Sequence, residues 1–439
     1  PRSAVFAPLA RLGVIVVDEE HDSAYRQDQK PMYDAVEAAL WRGRRHGAVV
    51  ILGSATPSLA RYRDATEGRL ALVRMPSRVD GRALPAVRVV NLSQEPLVRR
   101  GRNLLSGALR DEIQACLSKH QQVILLLNRR GYSTWHECLS CGEGLRCRRC
   151  LVAMVLHQAE GRLRCHYCGA SSPIPSACPA CGGPLRPGGA GTERVVSEVR
   201  AAAPGARIQR LDLDAVRRRG EAGRIFQAMH QGEIDILVGT QMVAKGFDFP
   251  DVTLVGVVNA DTALHLPDFR SAERTFTLAA QVSGRAGRGR EPGRVIIQTY
   301  QPRQYSLLAA ARHDYEGFYS EEAKFRQEAN YPPFTFLARV LCLARDARIA
   351  EAGATAVAVS LSPQALVGAV ALRPGDRPAV EVLGPSPAIR SVIGGRHRWQ
   401  VLLKGERSAV LATIRSSRPL WSRKGGLQVR VEVDPDNLL

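Results

Sequence analysis

Short apolar runs alternate with longer amphipathic stretches along most of the chain. These runs, rich in β-branched residues and bounded by polar or glycine-containing segments, predict parallel strands at Leu12–Val17, Val49–Leu52, Val123–Leu127, Arg207–Leu211, Ile234–Val238, Val252–Val258 and Arg294–Thr299. Between the runs, apolar residues recur at helical spacing, as in Asp34–Arg45 and Leu109–His120. Strands that alternate with helices predict doubly wound α/β sheets.

Two stretches depart from this alternation. Residues 76–105 are rich in proline and arginine and show no clear period, which predicts an irregular linker. From Tyr331-Pro332-Pro333 onward the predicted strands are fewer and more widely spaced, with one at Trp399–Leu403. This change predicts a small, separate α/β domain at the C-terminal end of the chain.

Eight of the ten cysteines form four Cys-x-x-Cys pairs between residues 138 and 181. The pairs are Cys138/Cys141, Cys147/Cys150, Cys165/Cys168 and Cys178/Cys181. Two intervening residues let both sulfur atoms of a pair reach one metal, and two pairs complete a tetrahedral zinc site. Disulfides are the alternative, but the remainder of this long chain contains only Cys116 and Cys342, in apolar and unpatterned surroundings. The pattern therefore predicts two structural zinc ions.

The spacing of the pairs predicts how they share the two ions. The 14 residues between Cys150 and Cys165 are enough for a short hairpin, with strands at 154–157 and 163–165. We therefore expect the two middle pairs to share one zinc and the two outer pairs to share the other.

The chain carries a formal net charge of +19, which favours a polyanionic partner such as nucleic acid. Only six of the 61 basic residues are lysine. This compositional bias explains why arginine outnumbers lysine, but it does not explain why basic residues outnumber acidic ones.

No apolar run approaches the roughly 18 residues of a membrane span. Zinc thiolates and the lack of a signal peptide predict a cytoplasmic protein. The start on proline rather than methionine suggests further N-terminal sequence.

An acidic motif follows the first predicted strand. Asp18-Glu19-Glu20-His21 lies at the carboxyl end of that strand, which is where open α/β sheets bind their ligands. In nucleotide hydrolases the first acid holds Mg²⁺ and the second polarises the attacking water. Taken alone, the motif is equally compatible with ordinary acidic loop residues.

The sequence from Gln281 to Arg288 (QVSGRAGR) gives a more specific signal. On a helix, Gln281, Arg285 and Arg288 lie at i, i+4 and i+7 and would share one face. Gly284 and Gly287 each cost about 1 kcal/mol relative to alanine within a helix, so they suggest close approach to another surface. Two arginines on one face suit the charge of a γ-phosphate in the transition state. The alternative is a solvated basic helix.

In order along the chain, these motifs resemble those of superfamily 2 helicases. The whole chain is similar to the PriA family of primosomal replication-restart helicases. Besides the eight cysteines, this resemblance is carried by the segments Asp18–Ser23, Leu125–Gly131 (LLLNRRG), Gly191–Arg194 (GTER), Asp268–Arg274 (DFRSAER) and Gly395–Gln400 (GRHRWQ).

The resemblance implies an α/β fold of two RecA-like helicase lobes, of which the first is partial. A two-zinc cysteine-rich insert interrupts the second lobe, and a small α/β domain follows it. The expected boundaries are 1–78 for the C-terminal half of lobe 1, 79–137 for a linker and the start of lobe 2, 138–184 for the insert, 185–312 for the remainder of lobe 2 and 313–439 for the C-terminal domain.

The function implied by the resemblance is an ATP-dependent 3′→5′ DNA helicase. It would bind stalled or abandoned replication forks and initiate primosome assembly and reloading of the replicative helicase. The implied cofactors are two structural Zn²⁺ ions, with ATP and Mg²⁺ in the full-length protein. The implied partners are forked and single-stranded DNA, single-stranded-DNA-binding protein and primosome or helicase-loading proteins. The protein would be a nucleoid-associated monomer that does not bind membranes.

The same resemblance assigns the nucleotide site to Asp18, Glu19, His21, Gly246, Gln281, Arg285 and Arg288. Asp18 would bind Mg²⁺, Glu19 would polarise the hydrolytic water, and the two arginines would bind the γ-phosphate. Gln281 would contact the nucleotide or the attacking water.

The chain departs from the family in one respect, because it contains no Gly-Lys dipeptide and hence no phosphate loop. We expect that loop upstream and expect this chain alone to be inactive. One alternative is an ATP-independent scaffold that binds forks and recruits partners. Another is an RNA helicase of the same superfamily, which the cysteine insert disfavours.

Overall fold

The computed structural model describes the chain except for residues 1, 28, 30, 77–80, 82, 99–100, 103, 128–134, 158–159, 188–191, 212–219, 241–248, 288–290, 367–377, 422–423, 436–437 and 439. It divides into two compact units. One contains residues 1–76 with 435–437, and the other contains residues 77–434 with 438–439.

The described residues of the first unit form two parallel strands and two α-helices, β1 (Val14–Val17), α1 (Ala35–His46), β2 (Val49–Leu52) and α2 (Leu59–Thr66), and a short antiparallel pair, Arg26–Gln27 with Tyr33–Asp34. The helix α1 begins after Asp34, whose carboxylate accepts hydrogen bonds from the backbone N–H groups of Val36 and Glu37. It ends at Gly47, which adopts the left-handed conformation that favours glycine (φ 64°). Both parallel strands and α1 lie where the sequence predicts them, apart from two residues at the start of β1.

The second unit begins with an α/β region and its cysteine-rich insert. Its described strands of three or more residues are β3 (Ala86–Asn91), β4 (Gln122–Leu126), β5 (His136–Cys138), β6 (Val155–His157), β7 (Arg162–Arg164), β8 (Ser171–Pro173), β9 (Leu185–Pro187), β10 (Ile208–Leu211), β11 (Ile236–Gly239), β12 (Val252–Val257) and β13 (Arg294–Thr299). Its helices are α3 (Gly107–Leu117), α4 (Thr192–Ala202), α5 (Glu221–His230), α6 (Asp261–Leu264), α7 (Ser271–Ser283), α8 (Tyr305–Ala311) and α9 (Tyr315–Glu328).

Six of these strands form one parallel sheet in the order β10-β11-β4-β12-β13-β3. The strands β4, β11 and β12 are buried along their whole length, as expected for a parallel sheet covered on both faces. The side chains of Leu109, Ile113, Val123 and Leu125 belong to the core between this sheet and its helices. The predicted α/β architecture is confirmed.

One expectation for this region is wrong. Residues 76–105 were predicted to be an irregular linker, but Ala86–Asn91 forms the strand β3 at the edge of the sheet, paired with β13 in register from Ala86 to Asn91. Its residues are exposed or half-buried, because an edge strand has a neighbour on one side only. Such a strand lacks the continuous apolar run by which the central strands are identified.

The C-terminal part contains α10 (Ala347–Leu366), α11 (Arg407–Ser417) and the strands β14 (Phe336–Ala344), β15 (Val380–Ile393), β16 (Arg396–Gly405) and β17 (Gln428–Val433). These strands form an antiparallel sheet in the order β15-β16-β14-β17. One face of the sheet packs against α10 and α11 through Val340, Val401 and Leu403. The predicted strand Trp399–Leu403 lies within β16. No helix among the described residues has both the length and the apolar character needed to cross a membrane.

Candidate functional site

The acidic motif lies at the carboxyl end of β1, as predicted. Asp18 and Glu19 directly follow the strand and are exposed, whereas Glu20 is buried. The carboxylate of Glu20 accepts hydrogen bonds from the backbone N–H of Ser58 (2.6 Å) and from its hydroxyl (3.2 Å). The buried acid thus fixes the loop, while the two preceding acids face solvent, where a metal ion or a water molecule could reach them.

His21 connects this motif to the segment after β2. Its Nδ1 atom lies 2.7 Å from the hydroxyl oxygen of Ser54 and 3.6 Å from Oε2 of Glu19. Glu19 adopts the left-handed backbone conformation (φ 51°), which costs on the order of 1–3 kcal/mol for a residue other than glycine. The surrounding contacts hold this conformation and bring Glu19, His21 and Ser54 together.

The arginine motif at the end of α7 differs from the prediction. The helix ends at Ser283, so Gln281 lies in its last turn and Arg285 in the turn that follows. The expectation that Gln281 and Arg285 share one helical face is therefore wrong, whereas the position of Arg288 stays a prediction. Gly287 explains the change of direction, because it has a left-handed φ of 70° and lies against the backbone of Gly293, where a Cβ atom would collide.

Several predicted residues lie outside the described part of the chain. They are Arg288, Gly246, Gly191 and residues 128–131 of the LLLNRRG segment. Their assignment to the nucleotide or DNA sites stays a prediction.

The eight cysteines form two groups of four in the nested arrangement that their spacing predicts. The outer group contains Cys138, Cys141, Cys178 and Cys181, and the inner group contains Cys147, Cys150, Cys165 and Cys168. Within each group all sulfur atoms lie within 4.8 Å of one another. Neighbouring sulfur atoms are 3.4–3.8 Å apart, as between Cys141 and Cys181 (3.4 Å) and between Cys141 and Cys178 (3.8 Å). All are free thiols rather than disulfides.

The four pairs share one local geometry. In each, the fourth residue after the first cysteine donates its backbone N–H to the carbonyl oxygen of that cysteine. That residue has a left-handed φ in every case: 73° at Gly142, 56° at Leu151, 79° at Gly169 and 72° at Gly182. Glycine is the residue that adopts this conformation without strain, so three of the four turns carry a recognisable sequence signal.

Both groups fit a divalent zinc ion. A tetrahedral site with zinc–sulfur bonds of about 2.3 Å separates its sulfur atoms by about 3.8 Å, close to the distances found here. Hydrogen bonds with the Cys147 sulfur raise the pKa of Cys150 and of Cys165. A cation is therefore needed to hold all four sulfur atoms of the inner group as thiolates.

The outer group is attached to the α/β region with the parallel sheet by the turn at Gly142. The carbonyl oxygen of Gly142 lies 3.1 Å from Nε2 of His265 and accepts a hydrogen bond from Nε2 of Gln301 (3.0 Å). Gly144 lies so close to the imidazole of His265 that a Cβ atom would collide with it. The insert therefore contacts the segment that follows β12 and β13.

Buried ionisable groups that no sequence pattern indicates surround this attachment. Glu137 is 1% exposed and pairs with Arg186 (2.7 Å). Asp261 is fully buried and accepts hydrogen bonds from the Thr299 hydroxyl and the backbone N–H of Tyr300, both at 2.8 Å. Burial, with a further contribution from Glu137, raises the pKa of Asp261 to about 7. These contacts join distant parts of the chain, so no local sequence pattern predicts them.

His265 predicts a pH dependence of stability. Burial lowers the pKa of His265 to about 3, with a smaller contribution from Arg146. Below about pH 6.5 the unfolded chain binds a proton at this residue and the folded chain does not, so stability falls as pH falls. The unfolding free energy of the wild type, minus that of His265→Gln, should fall by about 1.4 kcal/mol per pH unit between about pH 6 and 4. Denaturant titrations at each pH measure this difference.

The control for this experiment is His46→Gln, since His46 is exposed at the end of α1. The difference between the wild type and this control should not show the same slope. A flat difference between the wild type and His265→Gln would mean that His265 becomes protonated in the folded chain.

The inner group is attached to the C-terminal sheet. The carbonyl oxygen of His166 accepts hydrogen bonds from the Ser386 hydroxyl (2.6 Å) and from Nε2 of Gln400 (2.7 Å). The Tyr331 hydroxyl donates to the carbonyl oxygen of Cys150 (2.6 Å). One apolar cluster joins these parts, and its buried members are Leu145, Cys147, Cys150, Val152, Met154, Leu163, Cys165, Tyr167, Phe269, Tyr331, Leu337, Leu383, Leu402 and Leu438. The inner cysteines and the C-terminal sheet therefore share one core.

A buried ionic triad lies next to this shared core. Arg326, 1% exposed, pairs with Glu322 (2.6 Å) and Glu273 (2.9 Å) and donates to the carbonyl oxygen of Pro332 (2.9 Å). Its guanidinium lies 4.7 Å from the centre of the Phe269 ring. Arg326 thus connects α7, α9 and the segment that leads into β14.

Comparison with known families identifies three parts of the chain. Residues 147–173 match the PriA DNA helicase Cys-rich region domain, residues 196–290 the helicase conserved C-terminal domain and residues 327–436 the primosomal protein N C-terminal domain. Among solved structures, S. cerevisiae Dbp5 bound to RNA and ADP BeF3 is similar at 13% identity and a TM-score of 0.36, covering 73% of this chain and 64% of that chain. Similarity at this level supports no argument about the site.

Curated relatives match over nearly all of the chain. The Replication restart protein PriA of Bacillus subtilis is 43% identical over 415 residues, which are 94% of this chain and 50% of that protein. The protein of the same name from Treponema pallidum is 40% identical over 443 residues, covering 100% of this chain and 64% of that protein. The chain thus spans about half to two thirds of the length of these relatives. With its helicase-like sheet, its two four-cysteine groups and its C-terminal domain, the chain belongs to the PriA family of replication restart proteins.

Proposed function

We propose that the whole protein is an ATP-dependent 3′→5′ DNA helicase. It would bind stalled or abandoned replication forks and initiate primosome assembly and reloading of the replicative helicase. The observation that supports this most strongly is the 43% identity with a Replication restart protein PriA over 94% of the chain. Because the chain spans 50% of that relative, the activity is proposed for the whole protein.

The proposed roles of the nucleotide-site residues follow from their chemistry. Asp18 would hold Mg²⁺, and Glu19 would polarise the attacking water, since both carboxylates are exposed at the end of β1. Arg285 and Arg288 would stabilise the γ-phosphate, and Gln281, His21 and Gly246 would contact the nucleotide. Hydrolysis of ATP bound with Mg²⁺ would supply the free energy of unwinding.

The two cysteine groups would each hold a structural Zn²⁺, which fixes the insert against its neighbours. The proposed partners are forked and single-stranded DNA, single-stranded-DNA-binding protein and helicase-loading proteins. We further propose that the protein acts as a monomer in the cytoplasm, associated with the nucleoid.

The test replaces Glu19 in the whole protein. Glu19→Gln should retain nucleotide binding and lose turnover by about 10²-fold or more, because only the charge that polarises water is removed. DNA-stimulated ATP hydrolysis and nucleotide affinity are the two measurements. Glu67→Gln, which removes an exposed acid at the end of α2, is the matched control and should leave turnover unchanged.

The scaffold alternative makes the opposite prediction. If the whole protein binds forks but hydrolyses ATP no faster than Glu19→Gln, the helicase proposal fails and an ATP-independent scaffold takes its place. The 439-residue chain alone should show no turnover above that level, because it contains no phosphate-loop lysine.

A further inference from the structure

The two cysteine groups differ in how easily a solute can reach their sulfur atoms. Three of the four inner cysteines are at most 3% exposed and belong to the apolar cluster shared with the C-terminal sheet, while the fourth, Cys168, is partly exposed. In the outer group Cys181 is exposed, and residues 179–182 of its turn are all exposed. The outer group is therefore open to solvent at Cys181, whereas a core encloses most of the inner group.

The sulfur atom of Cys181 lies next to two further sulfur atoms of its group. It is 3.4 Å from that of Cys141 and 3.5 Å from that of Cys138. Cys138 is fully buried in β5, whereas Cys141 is half-buried in the turn that leads to Gly142. Cys141 is thus the nearer and the more accessible partner for a disulfide. An exposed thiolate beside a second cysteine is the arrangement found in redox-sensing sites.

This arrangement supports a balanced reaction with hydrogen peroxide. A bound zinc ion keeps its cysteine ligands as thiolates, which are the nucleophilic form. The Cys181 thiolate attacks one peroxide oxygen, so that a sulfur–oxygen bond forms, the oxygen–oxygen bond breaks and hydroxide leaves. The Cys141 thiolate then attacks the sulfenic sulfur, forms the disulfide and displaces a second hydroxide. Two sulfur atoms lose two electrons in total, and one peroxide molecule takes up both.

Oxidation at this position would act on one attachment of the insert and leave the other unchanged. Cys141 directly precedes Gly142, whose carbonyl oxygen contacts His265 and Gln301 of the α/β region. After oxidation only two thiolates of the outer group remain, too few for a four-coordinate zinc site. The inner group has its own four sulfur atoms and its own contacts with the C-terminal sheet.

We propose that the outer group is a redox-sensitive zinc site, in which hydrogen peroxide joins Cys181 to Cys141 and so releases the insert from the α/β region at Gly142. The inner group keeps its zinc and holds the insert on the C-terminal sheet. A dithiol reductant together with Zn²⁺ reverses the change. This inference goes beyond the proposed function and does not depend on whether the protein hydrolyses ATP.

The first test adds hydrogen peroxide to the zinc-loaded 439-residue chain and follows zinc release with a chromogenic chelator. One of the two zinc ions should leave at least about tenfold faster than the other, because reactivity follows the exposure of the thiolate. Peptide mapping of the product after this first phase should join Cys181 to Cys141. Release of both ions at one rate, or a first disulfide that joins Cys181 to another cysteine or leaves it reduced, would overturn the proposal.

Two histidine variants test the role assigned to Cys181. Histidine can replace a cysteine as a zinc ligand but cannot form a disulfide. Cys181→His should bind two zinc ions and lose the fast phase of release. The matched control is Cys168→His, which makes the same replacement at the partly exposed ligand of the inner group and should retain that phase. A fast phase that persists in Cys181→His would overturn the proposal, and the mapping of the wild type decides if that variant does not bind zinc.

Hydrogen exchange of the wild type measures the structural consequence. The N–H of Gly142 donates to the carbonyl oxygen of Cys138 (2.9 Å) within the outer turn. After the first phase of oxidation this amide should exchange about tenfold faster or more, because the turn has lost the ion that holds it. Amides of β14 and β16 should exchange as they do in the reduced chain. Unchanged exchange at Gly142, or equal acceleration in β14 and β16, would contradict release at the outer group alone.

Discussion

Cys165→Ser should release the C-terminal sheet from the cysteine-rich insert. Cys165 is fully buried, and its neighbour His166 accepts the hydrogen bonds from Ser386 and Gln400. Without four thiolates the inner group cannot hold zinc, and the binding free energy of a structural zinc is folding free energy. We expect amide hydrogens in β14 and β16 to exchange about 100-fold faster or more, which corresponds to about 3 kcal/mol in the free energy of opening.

Cys181→Ser is the matched control, because Cys181 is the exposed ligand of the outer group. Both variants should lose one of two bound zinc ions, as measured by metal analysis, but only Cys165→Ser should loosen the C-terminal sheet. Equal exchange rates for β14 and β16 in the two variants would contradict the separate roles inferred for the two groups.

Arg326→Leu should destabilise the chain by about 3–5 kcal/mol. The replacement removes one member of a buried triad and leaves the carboxylates of Glu322 and Glu273 without their counter-ion, which is the costly way to break a buried ion pair. It also removes the hydrogen bond to the carbonyl oxygen of Pro332, on the segment that leads into β14. Denaturant-induced unfolding followed by circular dichroism measures the loss.

The matched control is Lys324→Leu, which also replaces a basic residue with leucine. Lys324 lies two positions earlier on α9, and its side chain is 63% exposed. Its effect should stay within about 0.5 kcal/mol. A cost below about 1 kcal/mol for Arg326→Leu would show that leucine packs well enough to replace the triad, as has occurred for other buried ion pairs.

The sequence predicted those parts of the fold that local patterns encode. The central strands are continuous apolar runs, and the nested cysteine groups follow from the number of residues between the pairs. The edge strand β3 was missed because half-exposed residues in a proline- and arginine-rich segment lack that pattern. The end of α7 was misplaced because Gly284 and Gly287 were assigned to a helix, whereas Gly287 requires a left-handed turn.

Contacts between distant residues could not be predicted in this way. Glu137 meets Arg186, and Arg326 meets Glu273, across 49 and 53 positions of the chain. The fully buried Asp261 and His265 look in the sequence like ordinary polar residues after a strand. Their environment depends on the packing of the insert, which no local period of apolar residues describes.

The core shared by the inner cysteine group and the C-terminal sheet also limits how members of the family can diverge. Leu337, Leu383 and Leu402 of the sheet pack against the insert, more than 150 positions earlier in the chain, so a change of volume on one side has to be matched on the other. The two segments are therefore expected to co-evolve as one inherited block. A chimera that takes the C-terminal domain of one relative and the insert of another would join two halves of different cores.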